Sequence, residues 1–565
     1  MLQSTRPLDR FIPLRYLVPL LCLVVYAGTF FFPLMDKDAA HHANIALNMY
    51  EHNDYVNLID RGTDYLDKPH LLFWVSAISF KIFGVTTFAH RFPAFLFSLL
   101  AVFSTYRLAK HLAGRYTAQL AAIILATAQS FIMAIMDARM ETPLTAFIIA
   151  ATWQLIVYVD KRKLSSLFFA ALCMALAFST KGWIGPVVIF IPVFFYLVLQ
   201  RKLAVLINPR TWLFIPLFAL FISPVLYAYY LQYDLHPEKI IRGTSHHSGV
   251  RFILWDQLFE RSSGFDQGGQ GRNSDYFFLY HTFLWAFLPW SIAAYAAVFF
   301  WIRRMVYQKR WRTQFGFAAA GFAFILFVIS FSKFKMPHYI IMLFPMAALF
   351  TAPYLRFVLT RVKAQRFYTV FQTCFAVLVL LITLALNFYF FPPQNVFVWI
   401  IGSLLVAVFV ALLVKRRAVF PAKFWYLSVA ISILLNFMLN FIFFPQVMKY
   451  QGGNELAKEF LQNGSIPDSS IILLETQAHS FDFYTGHNHA IVPPEDFTAR
   501  YPSIKNNYFL LTLPFRDYLI KQGFTVEPVM QKPDYNVSTI KMKFLNPATR
   551  PQTLDTLMLV KVYQR

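Results

Sequence analysis

The run LVPLLCLVVYAGTFFFPLMDKD (residues 17–38) decides the fold class. No charged residue interrupts it from Leu17 to Met35, a length able to cross a hydrocarbon core about 30 Å thick. Arg6, Arg10 and Arg15 precede it and Asp36-Lys37-Asp38 follows, so basic residues mark one end and carboxylates the other. A basic start before an apolar run also resembles a signal peptide. No small-residue cleavage site follows it, and the run reads as a retained first span.

The rest of the chain repeats this texture. Of its 565 residues 58% are hydrophobic and 14% charged, against about a quarter charged in soluble domains. Sixty-four Phe and eleven Trp could not be hidden in a water-soluble core, so the bilayer is the solvent. Apolar runs recur to Phe444, and their number predicts a polytopic α-helical membrane protein with about thirteen spans. The net charge of +23 does not argue for nucleic acid, because Lys and Arg lie in short clusters between apolar runs rather than on a basic face. Cys22, Cys173 and Cys374 sit far apart in apolar stretches and suggest neither a disulfide framework nor a thiol-metal site.

The connections alternate. Short basic ones, such as Arg107 to Arg115, Arg201 to Arg210 and Arg356 to Arg366, read as cytoplasmic by the positive-inside rule, as does the N-terminus. The acidic, Gly-rich and His-rich segments, above all 36–91 and 232–278, then fall on the outer face of a bacterial inner membrane. After Pro445 the composition turns to mixed polar sequence with β-like runs at Ile471–Glu475, Ala490–Val492, Tyr508–Leu513 and Thr556–Val562. This predicts a transmembrane unit over 1–444 and a small periplasmic α/β domain over 445–565.

Chemistry is sought where ionisable groups border hydrocarbon, because such groups are costly unless paired or functional. Asp36 and Asp38 open a helix-like stretch, where capping and catalysis are equally good readings. Lys68 stands in Asp67-Lys68-Pro69 before the next apolar helix. It is suited to a phosphate at the membrane surface, and taken singly it is a snorkelling lysine. Asp137-Ala138-Arg139-Met140-Glu141 precedes Pro143, a residue suited to a first helical turn. Lys181-Gly182 and Ser332-Lys333-Phe334-Lys335-Met336-Pro337-His338-Tyr339 add cations on the same face. Four outer loops carrying cations beside carboxylates imply an anionic ligand such as a lipid phosphate. The cations would stabilise a departing phosphate while a carboxylate serves an acceptor hydroxyl.

These residues resemble the GT-C glycosyltransferases of the aminoarabinose (lipid A) transferase and protein O-mannosyltransferase type. The family's acidic residue at the start of an amphipathic helix, counted back from Met49, falls on Asp38, with Asp36 the second choice. Its Glu-Lys-Pro-Pro-Leu is similar to Asp67-Lys68-Pro69-His70-Leu71, and its Arg-hydrophobic-Pro to Arg91-Phe92-Pro93. Its second acid corresponds to Glu141, its Lys-Gly to Lys181-Gly182, and its Ser-Lys-x-Lys-Leu-Pro-x-Tyr loop to Ser332–Tyr339. The chain departs from the pattern at Ala39, at His41-His42 and in having Glu at 141.

The resemblance implies an inverting transferase with a polyprenyl-phosphate (undecaprenyl-phosphate) sugar donor and an envelope acceptor, lipid A above all, at a hydroxyl or phosphate. Asp38, Glu141 and Asp36 are the catalytic candidates. Lys68, Arg261, Lys333, Lys335, Tyr339 and Lys181 are the candidates for donor phosphate, and Arg91, Arg139 and His42 for support or acceptor contact. No cofactor is called for, and a divalent metal near Asp38 or Glu141, reached by His42, His246 or His247, is left open without tight ligand spacing. Gly268-Gly269-Gln270-Gly271 reads as a flap over substrate. A protein acceptor is the alternative within the class. A flippase of lipid-linked sugars is the alternative outside it, though no inverted repeat is evident.

Overall fold

A computed structural model describes residues 12–241, 245–258, 274–308, 314–414, 422–464 and, save the four positions 468, 469, 475 and 477, 466–564. Arg261 and Gly268–Gly271 therefore lie outside the described residues. Among those described, eight helices are long and apolar enough to cross a membrane. The count is nine if Leu17–Phe31 and Asp36–His52, which meet at 75°, are one span. The expected number of about thirteen is larger because length hides some runs. Helix α4 (Thr87–Ala126) has 40 residues, about 60 Å at 1.5 Å per residue, and is broken at Ala113 and Gly114, the latter at φ +81°. The apolar helices Leu71–Phe83, Ile184–Leu199 and Gly316–Ser330 fall short of span length.

Nine helical segments in chain order position the site. They are α1 (Ile12–Gly28), the π-helical turn Asp36–Ala40 running into α2 (His41–His52), α3 (Leu71–Phe83), α4, α5 (Gln129–Met136), α6 (Glu141–Lys161), α7 (Leu164–Lys181) and α8 (Ile184–Leu199). Between α2 and α3 lies a hairpin of β1 (Ile59–Asp60) and β2 (Thr63–Asp64), with Arg61 at φ +49° in its turn. Helix α6 packs against α4, α7 and α8 and is buried along most of its length, so its first turn is fixed by the helical body.

Within that body helices approach closely or are joined by hydrogen bonds, as lipid offers little hydrophobic drive between them. Gln129 and Asn436 pair through their amides at 2.9 and 3.0 Å, and Asn440 Nδ2 donates to Val25 O at 2.9 Å. A Cβ at Gly321 would lie 2.9 Å from the Pro192 Cβ, so Gly321 lets its helix, Gly316–Ser330, touch α8. Arg91 is fully buried and donates to the carbonyls of Met136 (2.6 Å), Phe32 (2.6 Å), Pro33 (3.0 Å) and Thr29. Arg91 thus ties the segment that follows α1 to the end of α5.

The last apolar helical run reaches Tyr450, and a sheet unit follows. Its five strands are β3 (Ile471–Leu474), β4 (Ala490–Val492), β5 (Tyr508–Thr512), β6 (Phe524–Asp534) and β7 (Asp555–Gln564), in the order β4-β3-β5-β7-β6. The pairs β4-β3 and β3-β5 are parallel, while β7 pairs antiparallel with β5 and β6. Strand β6 was not expected, because Pro528 and Pro533 interrupt its pattern. It lies at the sheet edge with a bulge between Pro528 and Met530, where missing donors are tolerated. Arg550 fastens this unit to the helical body by donating to Phe390 O at 2.9 Å, with its guanidinium 4.1 Å from the Phe391 ring centre.

Candidate active site

The site is assembled from helix ends. The turn Asp36–Ala40 delivers Asp38, and the 137–140 turn, in which Ala138 takes φ +44°, delivers Arg139. The first turn of α6 delivers Glu141, where a negative charge also suits the helix dipole. The last turn of α7 delivers Lys181, because Gly182 at φ +64° ends the helix there. A Cβ at Gly182 would collide with Gln257, whose Nε2 donates to Asp67 O at 3.2 Å and so brings the Asp67-Lys68 segment alongside.

Arg139 is the hub. Its Nη2 reaches Asp38 Oδ2 at 2.9 Å, its Nε reaches Asp137 Oδ2 at 2.7 Å, and its Nη1 donates to His338 Nδ1 at 2.7 Å. Burial alone would weaken the Arg139 charge, but Asp137, Asp38 and Glu141 outweigh it and raise its pKa above the ordinary value. Burial alone would likewise raise the Asp38 carboxyl. The Arg139 guanidinium is the largest influence holding it below the usual carboxylate range, so Asp38 is ionised at neutral pH. Glu141 is 4% exposed, forms an ion pair with Lys181, and lies 3.6 Å from His338 Nε2. The Lys181 ammonium stands 4.1 Å from the Tyr339 ring centre, and Lys68 pairs with Asp67 at 2.6 Å.

Three cavities meet here. A small one of about 240 Å³ is lined by Asp38, His41, His42, Asp67, Lys68, Arg139, Glu141, Lys181, His338 and Tyr339, among others. It shares Glu141, Lys181, Phe334 and Tyr339 with a cavity of about 450 Å³ whose other walls are largely apolar, including Leu144, Ile184, Val187, Val328 and Met342. It shares Asp38, His41, Arg139, Met336 and His338 with a polar chamber of about 1240 Å³. That chamber is lined on its far side by Thr476, His479, Val492, Pro494 and Thr539 of the sheet unit.

The sequence candidates separate accordingly. Asp38, Glu141, Lys68, Lys181, Tyr339, Arg139 and His42 come together around the small cavity. Burial, then the neighbouring His41, pushes the His42 ring down to about 3, which keeps it neutral. Asp36 lines none of the three cavities and turns instead to the sheet unit, where Ser480 N donates to its Oδ1 at 2.6 Å. Lys335 is 3% exposed and donates to the carbonyls of Asp275 (2.8 Å) and Ser330 (2.9 Å), again outside the three cavities. Lys333 is exposed, with no hydrogen bond or ion pair among the described residues. His246 bonds its neighbour Ser245 at 3.0 Å, and among the described residues no group of three or more His, Cys, Asp or Glu is arranged to hold a metal. Sequence reasoning missed His338, the bridge between Arg139 and Glu141, and Asp137. Both stood inside the quoted motifs, but nothing in their spacing distinguished them.

The helical body thus places an ionic cluster between a largely apolar cavity and a larger chamber that reaches the sheet unit. Residues 67–228 match the family of dolichyl-phosphate-mannose-protein mannosyltransferases. An uncharacterized protein of Aquifex aeolicus is 28% identical over 453 residues, 79% of this chain and 81% of that one. The undecaprenyl phosphate-alpha-4-amino-4-deoxy-L-arabinose arabinosyl transferase 2 of Proteus mirabilis is 27% identical over 192 residues, 31% of this chain and 34% of its own length. The crystal structure of ArnT from Cupriavidus metallidurans bound to undecaprenyl phosphate superposes with a TM-score of 0.74 at 16% identity, covering 98% of each chain. The chain thus shares the fold of that crystal structure and is similar in sequence, over part of its length, to membrane glycosyltransferases of the aminoarabinose-transferase and protein mannosyltransferase type.

Proposed function

We propose that the protein transfers a sugar from a polyprenyl-phosphate donor, undecaprenyl phosphate in a bacterium, to lipid A or another envelope glycolipid on the periplasmic face, with inversion. The junction of the three cavities carries this reading. A prenyl chain fits the apolar cavity, its phosphate reaches Lys68, Lys181 and Tyr339, and the sugar enters the small cavity beside Asp38 and Glu141. The acceptor approaches from the polar chamber, which meets the small cavity at Asp38 and Arg139, and inversion requires its attack to come from the side of the sugar opposite the phosphate. The names of the Proteus and Cupriavidus relatives support the same donor class.

The residues divide the work by charge. Lys68 and Lys181 stabilise the phosphate as the glycosidic bond breaks, and each is paired with a carboxylate, Asp67 and Glu141 respectively. Asp38, ionised and facing the chamber, accepts a hydrogen bond from an acceptor hydroxyl and takes its proton as the oxygen bonds to the sugar and the polyprenyl phosphate departs. A phosphate acceptor is already a nucleophile and needs no base. Glu141 holds Lys181 and, through His338, Arg139.

Purified protein in sealed lipid vesicles, given a panel of radiolabelled polyprenyl-phosphate sugars with lipid A or envelope extract, tests this directly. Label should pass to a glycolipid with wild type and fall at least roughly 100-fold with Asp38→Asn, the scale of losing a group that acts in the transition state. Label found in protein instead would identify a protein acceptor. Label that crosses the bilayer still on its carrier would replace the transferase reading with a flippase.

A further inference from the structure

The sheet unit reaches both ends of the stretch that carries Asp38. Upstream, Asp36 Oδ1 accepts the Ser480 N–H at 2.6 Å, and the Asp36 N–H donates to Gln451 Oε1 at 3.1 Å. Gln451 Nε2 in turn donates to Leu34 O at 2.9 Å. Along α2, Asn44 Nδ2 donates to the His479 carbonyl at 2.9 Å and Asn488 Nδ2 donates to Asn44 O at 3.2 Å. Downstream, Arg61 at the hairpin turn places Nε and Nη2 at 2.9 and 2.8 Å from Asp482 Oδ2, and His489 Nδ1 lies 2.8 Å from the other carboxylate oxygen. The Asp482 side chain is 0% exposed and that of Arg61 6%. A buried ion pair adds little net stability but is costly to break, and it fixes geometry.

We propose that the sheet unit is a positioning element of the transfer reaction, in which Asp36 and the Arg61–Asp482 pair are positioning residues that set where the Asp38 carboxylate stands in the polar chamber. This rests on the role given to Asp38 above. The only ion pair the Asp38 side chain makes among the described residues is with Arg139, so its place depends on the backbone turn that Asp36 anchors two residues earlier. Displacement of a reacting group by about 1 Å is enough to cost on the order of 100-fold in rate. Two of the groups involved, Arg61 and His479, also line the chamber, so the clamp and the chamber wall are one surface.

The test compares Asp36→Ala, Asp36→Asn and Asp482→Asn in nanodiscs, reading kcat, donor Kd and thermal unfolding. An amide at 36 still offers an oxygen to the Ser480 N–H, whereas alanine does not. The expected result is a kcat at least tenfold lower for Asp36→Ala and Asp482→Asn, with donor Kd unchanged, and recovery of most turnover in Asp36→Asn. Equal loss in both Asp36 variants would make Asp36 a reacting group and overturn the proposal, as would full kcat in all three. A readout independent of transfer accompanies it: the thiol of Asp38→Cys is labelled by a membrane-impermeant thiosulfonate, with and without Asp482→Asn. A labelling rate shifted several-fold supports the clamp even if the sugar donor is misassigned, and an unchanged rate refutes it whatever the donor.

Discussion

Arg139 shows how much one residue can organise: three of its nitrogens hold Asp38, Asp137 and His338, which come from three different connections. In the proposed reaction Lys68 is its counterpart on the donor side. Replacing Lys68 with Ala should weaken donor binding roughly tenfold or more, since a charged hydrogen bond contributes about 1.5–3 kcal/mol, and filter binding of labelled donor reads this. Unchanged affinity would remove Lys68 from the phosphate site. Asp36 makes a prediction of opposite character. Burial pushes its carboxyl up to about 7, with Asp534 adding to the rise and Ser480 and Arg61 opposing it. A carboxyl raised in the folded state favours folding most fully below its unfolded value near 4, and that contribution is lost as pH rises through about 7. Thermal unfolding of wild type should therefore lose stability between pH 4 and 7 relative to Asp36→Asn; parallel profiles would refute the shift.

At the scale of elements, the motifs were legible because helix ends write themselves into sequence. Pro143 in the first turn of α6 and Gly182 after α7 mark where Glu141 and Lys181 leave the apolar runs, and both residues stand at the site. Strand β6 was not legible, because an edge position tolerates prolines that a pattern reader takes as a break. Helix contacts were not legible, because they join residues far apart in the chain. Gly321→Leu should force its helix from α8 and cost about 1–3 kcal/mol, the usual penalty of overpacking. A detergent melt would show a lowered Tm, and an unchanged one would mean that the helices separate freely.

The arrangement of the whole molecule is what turns charged loops into a site, since the apolar cavity, ionic cluster and polar chamber lie in series. Filling the apolar cavity should therefore discriminate by chain length. Val328→Trp is expected to raise KM for a long polyprenyl donor at least several-fold while sparing a short-tailed analogue, and equal effects on both would mean that the tail lies elsewhere. The sequence by itself determined that the chain is a bundle of membrane helices, that a sheet unit follows, and that carboxylates and cations gather on one face, because length, hydropathy and local punctuation are properties of adjacent residues. Only the tertiary structure decided which cation meets which carboxylate. Asp36 and Asp38 are two residues apart, yet one turns to Ser480 and the other to Arg139; Lys335 stands in the same motif as Tyr339, yet it caps backbone carbonyls. Burial and pairing of charge depend on neighbours hundreds of residues distant, and no spacing along the chain encodes them.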